Sequence, residues 1–172
     1  MNFFTQRKTV TTILSGLVIF FIEGFFFNQG VFAGLALAVV LISALILCTR
    51  RIFNKVDPTV FKESLSRKIL FLFIAGASIA MIPVNAAISR SRAETVIAAC
   101  EGYKQKNGVY PETLSALVPQ FLPAVPNANL RLFMGEFFYM STPEHHMLLY
   151  AVVPPFGREN YSFEERQWHS ID

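Results

Sequence analysis

The chain has 172 residues, 53% of them hydrophobic and only 16% charged, where an ordinary soluble domain carries about 25% charge. Its formal charge of +3 does not signal nucleic-acid binding, because the excess is confined to one half. Residues 1–88 hold eight Lys/Arg against three Asp/Glu, and residues 89–172 hold seven against nine, so the surplus reads as a topology signal.

The first apolar run covers residues 9–27, and its one charged residue is Glu23. Asn28-Gln29-Gly30 is a short turn, and a second apolar run covers 31–48. A third covers 69–88. Each run would span roughly 27–30 Å as a helix, the thickness of a bilayer's hydrocarbon core. A secretory signal peptide is the competing reading of the first run. It is disfavoured because the stretch is too long for an h-region and a second run follows almost at once. The first two runs therefore read as a tight transmembrane hairpin.

Orientation follows from the loops. Arg7 and Lys8 precede the first run, and Arg50, Arg51, Lys55, Lys62, Arg67 and Lys68 lie between the second and third. The hairpin turn carries no charge. Because cationic loops stay cytoplasmic, the N-terminus and residues 49–68 are expected inside and everything after Ile88 outside. Within the inner loop, Asp57-Pro58 and the residues after it predict a short interfacial helix leading into the third span, with cations that can meet anionic lipid head groups.

After Ile88, apolar residues recur at Ala93, Val96, Ile97, Cys100 and Tyr103, the spacing of one helical face. No breaker separates this stripe from the third run, so one helix is predicted to continue out of the membrane to about Lys106, where Asn107-Gly108 stops it. Pro111 fits the first turn of a short second helix over 111–117. Pro119, Pro123 and Pro126 force an irregular crossing. Strands are expected near 130–133, 137–141 and 147–153, with Thr142-Pro143-Glu144 as a turn and a further edge strand in 161–168. The expected fold class is thus three transmembrane helices plus a small α+β extracytoplasmic domain, its long helix packed on a small antiparallel sheet. The expected division is 1–68, hairpin and basic loop, and 69–172, third span and outer domain.

The run Tyr103-Lys104-Gln105-Lys106-Asn107-Gly108-Val109-Tyr110-Pro111-Glu112-Thr113-Leu114, followed by Leu117-Val118-Pro119, resembles the type IV pilin and type II secretion pseudopilin family, most closely its major-pseudopilin kind. Ile82-Pro83-Val84 resembles that family's helix around its kink proline, and Phe137-Phe138-Tyr139 and Leu148-Leu149-Tyr150 fall where its strands would. The resemblance covers about residues 69–168. It implies a long helix, half membrane and half globular, and a non-enzymatic role beside pilin-like subunits in the bacterial inner membrane. There are departures. No glycine stands near Phe61-Lys62, where the leader cut would fall, and Ser66 takes the place of the family's glutamate, so no processing by prepilin peptidase is expected. The family's calcium site uses aspartates near the chain's end, whereas Asp172 is the only aspartate after Ile88.

Candidate interaction residues are Glu23, Arg90, Arg92, Glu94 and Glu101. Glu23 is an ionisable group at membrane depth, which reads either as a contact to another membrane subunit or as a side chain reaching head groups one turn away. Gly16, Gly24 and Gly34 suggest close packing within the hairpin. Arg90 and Glu94 can pair along the outer helix, whereas Arg92 has no acid three or four residues away. Reversing Arg90 and Arg92 is therefore expected to leave the fold intact. His145-His146 reads as turn residues and Cys100 as a buried structural thiol. Neither a catalytic constellation nor a cofactor, metal, nucleic-acid or small-molecule site is expected; the expected partners are membrane lipids and pilin-like or secretion-system subunits. An accessory subunit of some other inner-membrane complex is the alternative.

Overall fold

The computed structural model describes residues 3–27, 29–152 and 157–171, with side chains from residue 6 onward. Asn28, Val153 and Asp172, which figure in the expectations above, lie outside the described residues. The chain forms two compact units, residues 1–82 and 83–172.

The first unit begins with α1 (Phe3–Ile22), which ends in a π-helical turn, Glu23–Phe27. It continues with α2 (Val31–Ile52) and the first part of α3 (Pro58–Asn107). All three helices are long and apolar enough to cross a membrane. Gly30 opens α2 in the left-handed region at φ 72°, which a residue without Cβ adopts freely. At the start of α3, Asp57 accepts the Thr59 N–H at 2.8 Å and the Thr59 hydroxyl, and Pro58 fills the first helical position. Those hydrogen bonds hold the Asp57 carboxyl below its ordinary range. The interfacial helix expected here is therefore the first turns of α3 itself.

The glycines do a different job from the one expected. A Cβ on Gly16 would meet Ile74 at 3.0 Å, one on Gly24 would meet Met81 at 3.5 Å, and one on Gly30 would meet Ile82 at 3.2 Å. Gly16 and Gly24 thus leave room for the Ile74 and Met81 side chains of α3, while nothing lies within 4 Å of a Cβ on Gly34. On either side of Gly24 in the chain, Phe20, Phe21, Phe25 and Phe26 form a chain of edge and tilted ring contacts.

In the second unit α3 carries the apolar stripe as expected. Ala93, Val96 and Cys100 are fully buried, and Ile97 and Tyr103 pack against the same core. The helix runs to Asn107, and Gly108 follows at φ 81° with its N–H on the Lys104 carbonyl, a left-handed stop. Pro83 lies within the helix and has no N–H for the Ile79 carbonyl.

The expected helix over 111–117 shrinks to a 3-10 turn, Leu114–Leu117, because Thr113 is extended and cannot carry a helix through. Leu114, Leu117 and Leu122 drop into the core, and Tyr103 and Phe121 pack against it. The strand expected at 130–133 does not form. The Asn129 Oδ1 takes the Arg131 N–H at 3.0 Å, and Ala128 bonds Gly135 at 2.6 Å, so the segment closes as a loop. Gly135 is required there, since a Cβ would lie 2.5 Å from the Arg131 carbonyl oxygen.

Four strands then form an antiparallel meander in the order β1 (Phe138–Ser141), β2 (His146–Ala151), β3 (Arg158–Ser162) and β4 (Gln167–Ile171). The β1–β2 turn is the expected one, closed by Thr142 and His145. The last segment gives two strands where one edge strand was expected. The register puts Tyr139, Leu148 and Tyr161 side by side, with Trp168 opposite Tyr161. This face meets α3: Leu148, Tyr150 and Phe163 belong to the core, with Tyr139, Tyr161 and Trp168 packed on it.

Candidate functional site

The five candidate residues do not converge on one surface. Glu23 stands in the π-helical turn, 1% exposed. Its Oε2 accepts the Gly30 N–H at 2.9 Å, and its Oε1 accepts those of Phe32 at 2.5 Å and Ala33 at 3.2 Å. Those of Phe32 and Ala33 are first-turn N–H groups of α2, which have no partner inside their own helix, and Gly30 is the residue just before it. Gly30 has no side chain to cap them, and Glu23 supplies the acceptor from the preceding helix, where a negative group also suits the helix dipole. Its role is thus an internal one that neither sequence reading included.

The part of α3 in the second unit tells a similar story. Arg90 reaches Glu94 at 3.3 Å and Glu159 of β3 at 3.4 Å, and its guanidinium lies 3.9 Å from the centre of the Trp168 ring. The Tyr150 hydroxyl donates to the same Glu159 at 2.6 Å. Burial, and then that hydrogen bond to an acid, raise the Tyr150 phenol above its ordinary range. Arg90 therefore ties α3 to β3 and β4 through a charge-assisted and cation–π cluster. The i,i+4 pair with Glu94 is as expected, but it is the smaller part of what Arg90 does.

Arg92 is not a spare cation. Its Nη1 donates to the carbonyls of Asn127 at 2.9 Å and Asn129 at 3.1 Å, fastening the proline-rich crossing to the helix. These contacts argue against the expectation that reversing Arg90 and Arg92 leaves the fold intact. Glu101 accepts the Tyr110 hydroxyl at 2.8 Å, and Tyr110 packs on Phe163 and under Lys104. Burial foremost, and then Glu101, lift the Tyr110 phenol well above its usual range.

Of the lesser candidates, His146 pairs with Glu164 at 2.8 Å. Desolvation works to raise the Glu164 carboxyl, but hydrogen bonds from the His146 backbone and ring outweigh it, and the net shift is downward. Among the described residues no group of three His, Cys, Asp or Glu side chains is placed to hold a metal ion. Cys100 is fully buried, and burial pushes its thiol up to about 12.

Sequence reasoning missed Arg131. It is 3% exposed, donates to Asn129 Oδ1 at 3.0 Å and to the Ala151 carbonyl, and burial brings its guanidinium down to about 10. One basic residue amid Asn-Leu-Arg-Leu-Phe was the available signal. No family model, curated protein or solved structure matches this chain.

Proposed function

We propose that this chain is a non-enzymatic scaffold of the bacterial inner membrane, an accessory or assembly factor that contacts pilin-like subunits of a type IV pilus or type II secretion-like system. In this reading the N-terminus and residues 49–68 are cytoplasmic and the domain after Ile88 is periplasmic. One observation carries it: α3 joins an apolar stretch long enough to cross a bilayer to a stripe, Ala93, Val96 and Cys100, that is the spine of a small antiparallel sheet domain. That is the arrangement implied by the resemblance of the residues from Tyr103 to Leu114 to the pseudopilin family. The concentration of cations in the first turns of α1 and over residues 50–68, from the end of α2 to the first turns of α3, supports the orientation.

Two measurements test it. Alkaline phosphatase fused after Trp168 is expected to be active and after Lys55 inactive; activity at Lys55 would overturn the orientation. Photo-crosslinking from the periplasmic half of α3 in cells, with the adducts identified by mass spectrometry, is expected to trap pilin-like subunits. Adducts only with the subunits of an unrelated membrane complex would replace the assembly role with the alternative accessory one.

A further inference from the structure

In the first unit an open cleft of about 630 Å³ lies among the three helices. Arg7 and Lys8 of α1 and Arg67 and Lys68 of α3 line it, and Val40 of α2 and Phe71 of α3 give it an apolar side. Each cationic pair sits where an apolar run begins, so all four stand at the end of the unit where hydrocarbon would give way to head groups. The Lys68 ammonium already donates to Ser43 Oγ of α2 at 2.6 Å, which fixes its place and leaves it two further N–H groups.

Four like charges lining one cleft repel each other, and their repulsion grows as the surroundings become less polar. An anion between them reverses the sign of that interaction. The apolar side asks for more than an ion: it suits the glycerol and upper acyl carbons behind a phosphate. The volume falls within the range of sites that enclose small ligands. A zwitterionic head group brings its own cation and gains much less.

We infer that this cleft holds one phospholipid of net negative charge, its phosphate between the Arg7-Lys8 and Arg67-Lys68 pairs and its chain base against Val40 and Phe71. The inference rests on the membrane-spanning part of the proposed function. It makes the lipid a bound constituent that ties α1 to α3 at their basic ends, distinct from the general attraction of a cationic loop to an anionic leaflet.

The test uses the full chain. Purified in mild detergent and placed in nanodiscs of phosphatidylcholine with a minor share of phosphatidylglycerol, it is released into a native mass spectrometer and its retained lipids are identified. The expected result is preferential retention of one phosphatidylglycerol. Replacing Arg67 and Lys68, or Arg7 and Lys8, with Gln should lower that retention at least about tenfold, since each cation near an anionic head group contributes on the order of a threefold to fivefold factor. Replacing Arg50 and Arg51, which do not line the cleft, should leave it unchanged. Equal loss in both sets would reduce the effect to diffuse surface charge and overturn the site. Displacement of the lipid by millimolar inorganic phosphate would make the cleft an ion site and overturn the lipid. Alkaline carbonate washing separates the two readings: a chain that washes off refutes membrane insertion, whereas one that stays but shows no lipid preference refutes only the cleft.

Discussion

Replacing Glu23 tests the first unit at the residue whose role changed most between sequence and structure. Glu23→Ala removes three acceptor contacts at once, to Gly30, Phe32 and Ala33. Ala33 is fully buried, so its N–H gains no water in exchange. A hydrogen bond to a charged acceptor contributes about 1.5–3 kcal/mol, and a buried donor left unmatched costs about 1–3 kcal/mol. Because the three bonds share one carboxylate they do not add fully, and about 3 kcal/mol is the reasonable total. Glu23→Gln keeps a carbonyl oxygen for Phe32 and Ala33 but sets an amide against the Gly30 N–H, so it should lose about 1–1.5 kcal/mol.

Hydrogen exchange of the full chain in nanodiscs reads this directly. Exchange through local opening speeds up tenfold for every 1.4 kcal/mol lost. The peptide that carries residues 30–33 should therefore exchange roughly a hundredfold faster in Glu23→Ala and about tenfold faster in Glu23→Gln. Peptides in the middle of α2 should not change. If exchange at 30–33 is the same in wild type and Glu23→Ala, the carboxylate does not cap α2. Unchanged exchange together with lost partner crosslinking would restore the contact role that an acid at membrane depth first suggested.

Three further outcomes concern the second unit. Arg92→Ala loses two donated bonds to backbone carbonyls and should lower stability by about 1–2 kcal/mol in a thermal melt of the full chain in detergent, while Arg92→Glu should cost more because a carboxylate then faces the Asn127 and Asn129 carbonyl oxygens. Cys100, buried and with its thiol pushed up to about 12, should resist maleimide at pH 8 in the folded protein and label promptly in denaturant; rapid native labelling would contradict its place in the core. Glu164 is held below its ordinary value of 4.5, so its contribution to stability is present above that value and is lost as pH falls through the lowered one. The melting temperature should therefore step down on acidification below about pH 4.5, and Glu164→Gln should flatten the step.

What the sequence made legible was local. The apolar runs, the stripe from Ala93 to Tyr103 and the stop at Gly108 each depend on residues within a few turns of one another, and each is found. What it hid was set by distant partners or by competition. Strand β3 reads Arg-Glu-Asn-Tyr-Ser and shows no alternation of apolar and polar residues. It is a strand because it lies between β2 and β4 and because Glu159 meets Arg90 and Tyr150. Residues 130–133 have the composition of a strand, yet Asn129 occupies the Arg131 N–H that a sheet ladder would need.

The candidate surface on α3 rests on a rule that the structure qualifies. A charge off the apolar stripe of a helix reads as available to a partner, because stability does not require its i,i+4 pair. That rule considers only the helix. Arg90 and Arg92 are engaged by Glu159 and Trp168 and by the Asn127 and Asn129 carbonyls, 35 to 78 positions further along the chain, and Glu101 holds Tyr110. Loss of any of them removes a contact between the helix and its sheet or loop, whatever it does outside the chain. A substitution here that lowers partner recovery therefore says nothing of docking unless the melting temperature is unchanged. Arg90 and Arg92, each bound to groups far along the chain, are poorly placed to meet that condition. An interface on this helix has to be mapped by crosslinking, which leaves these internal bonds in place, and not by reversing charges that the fold already uses.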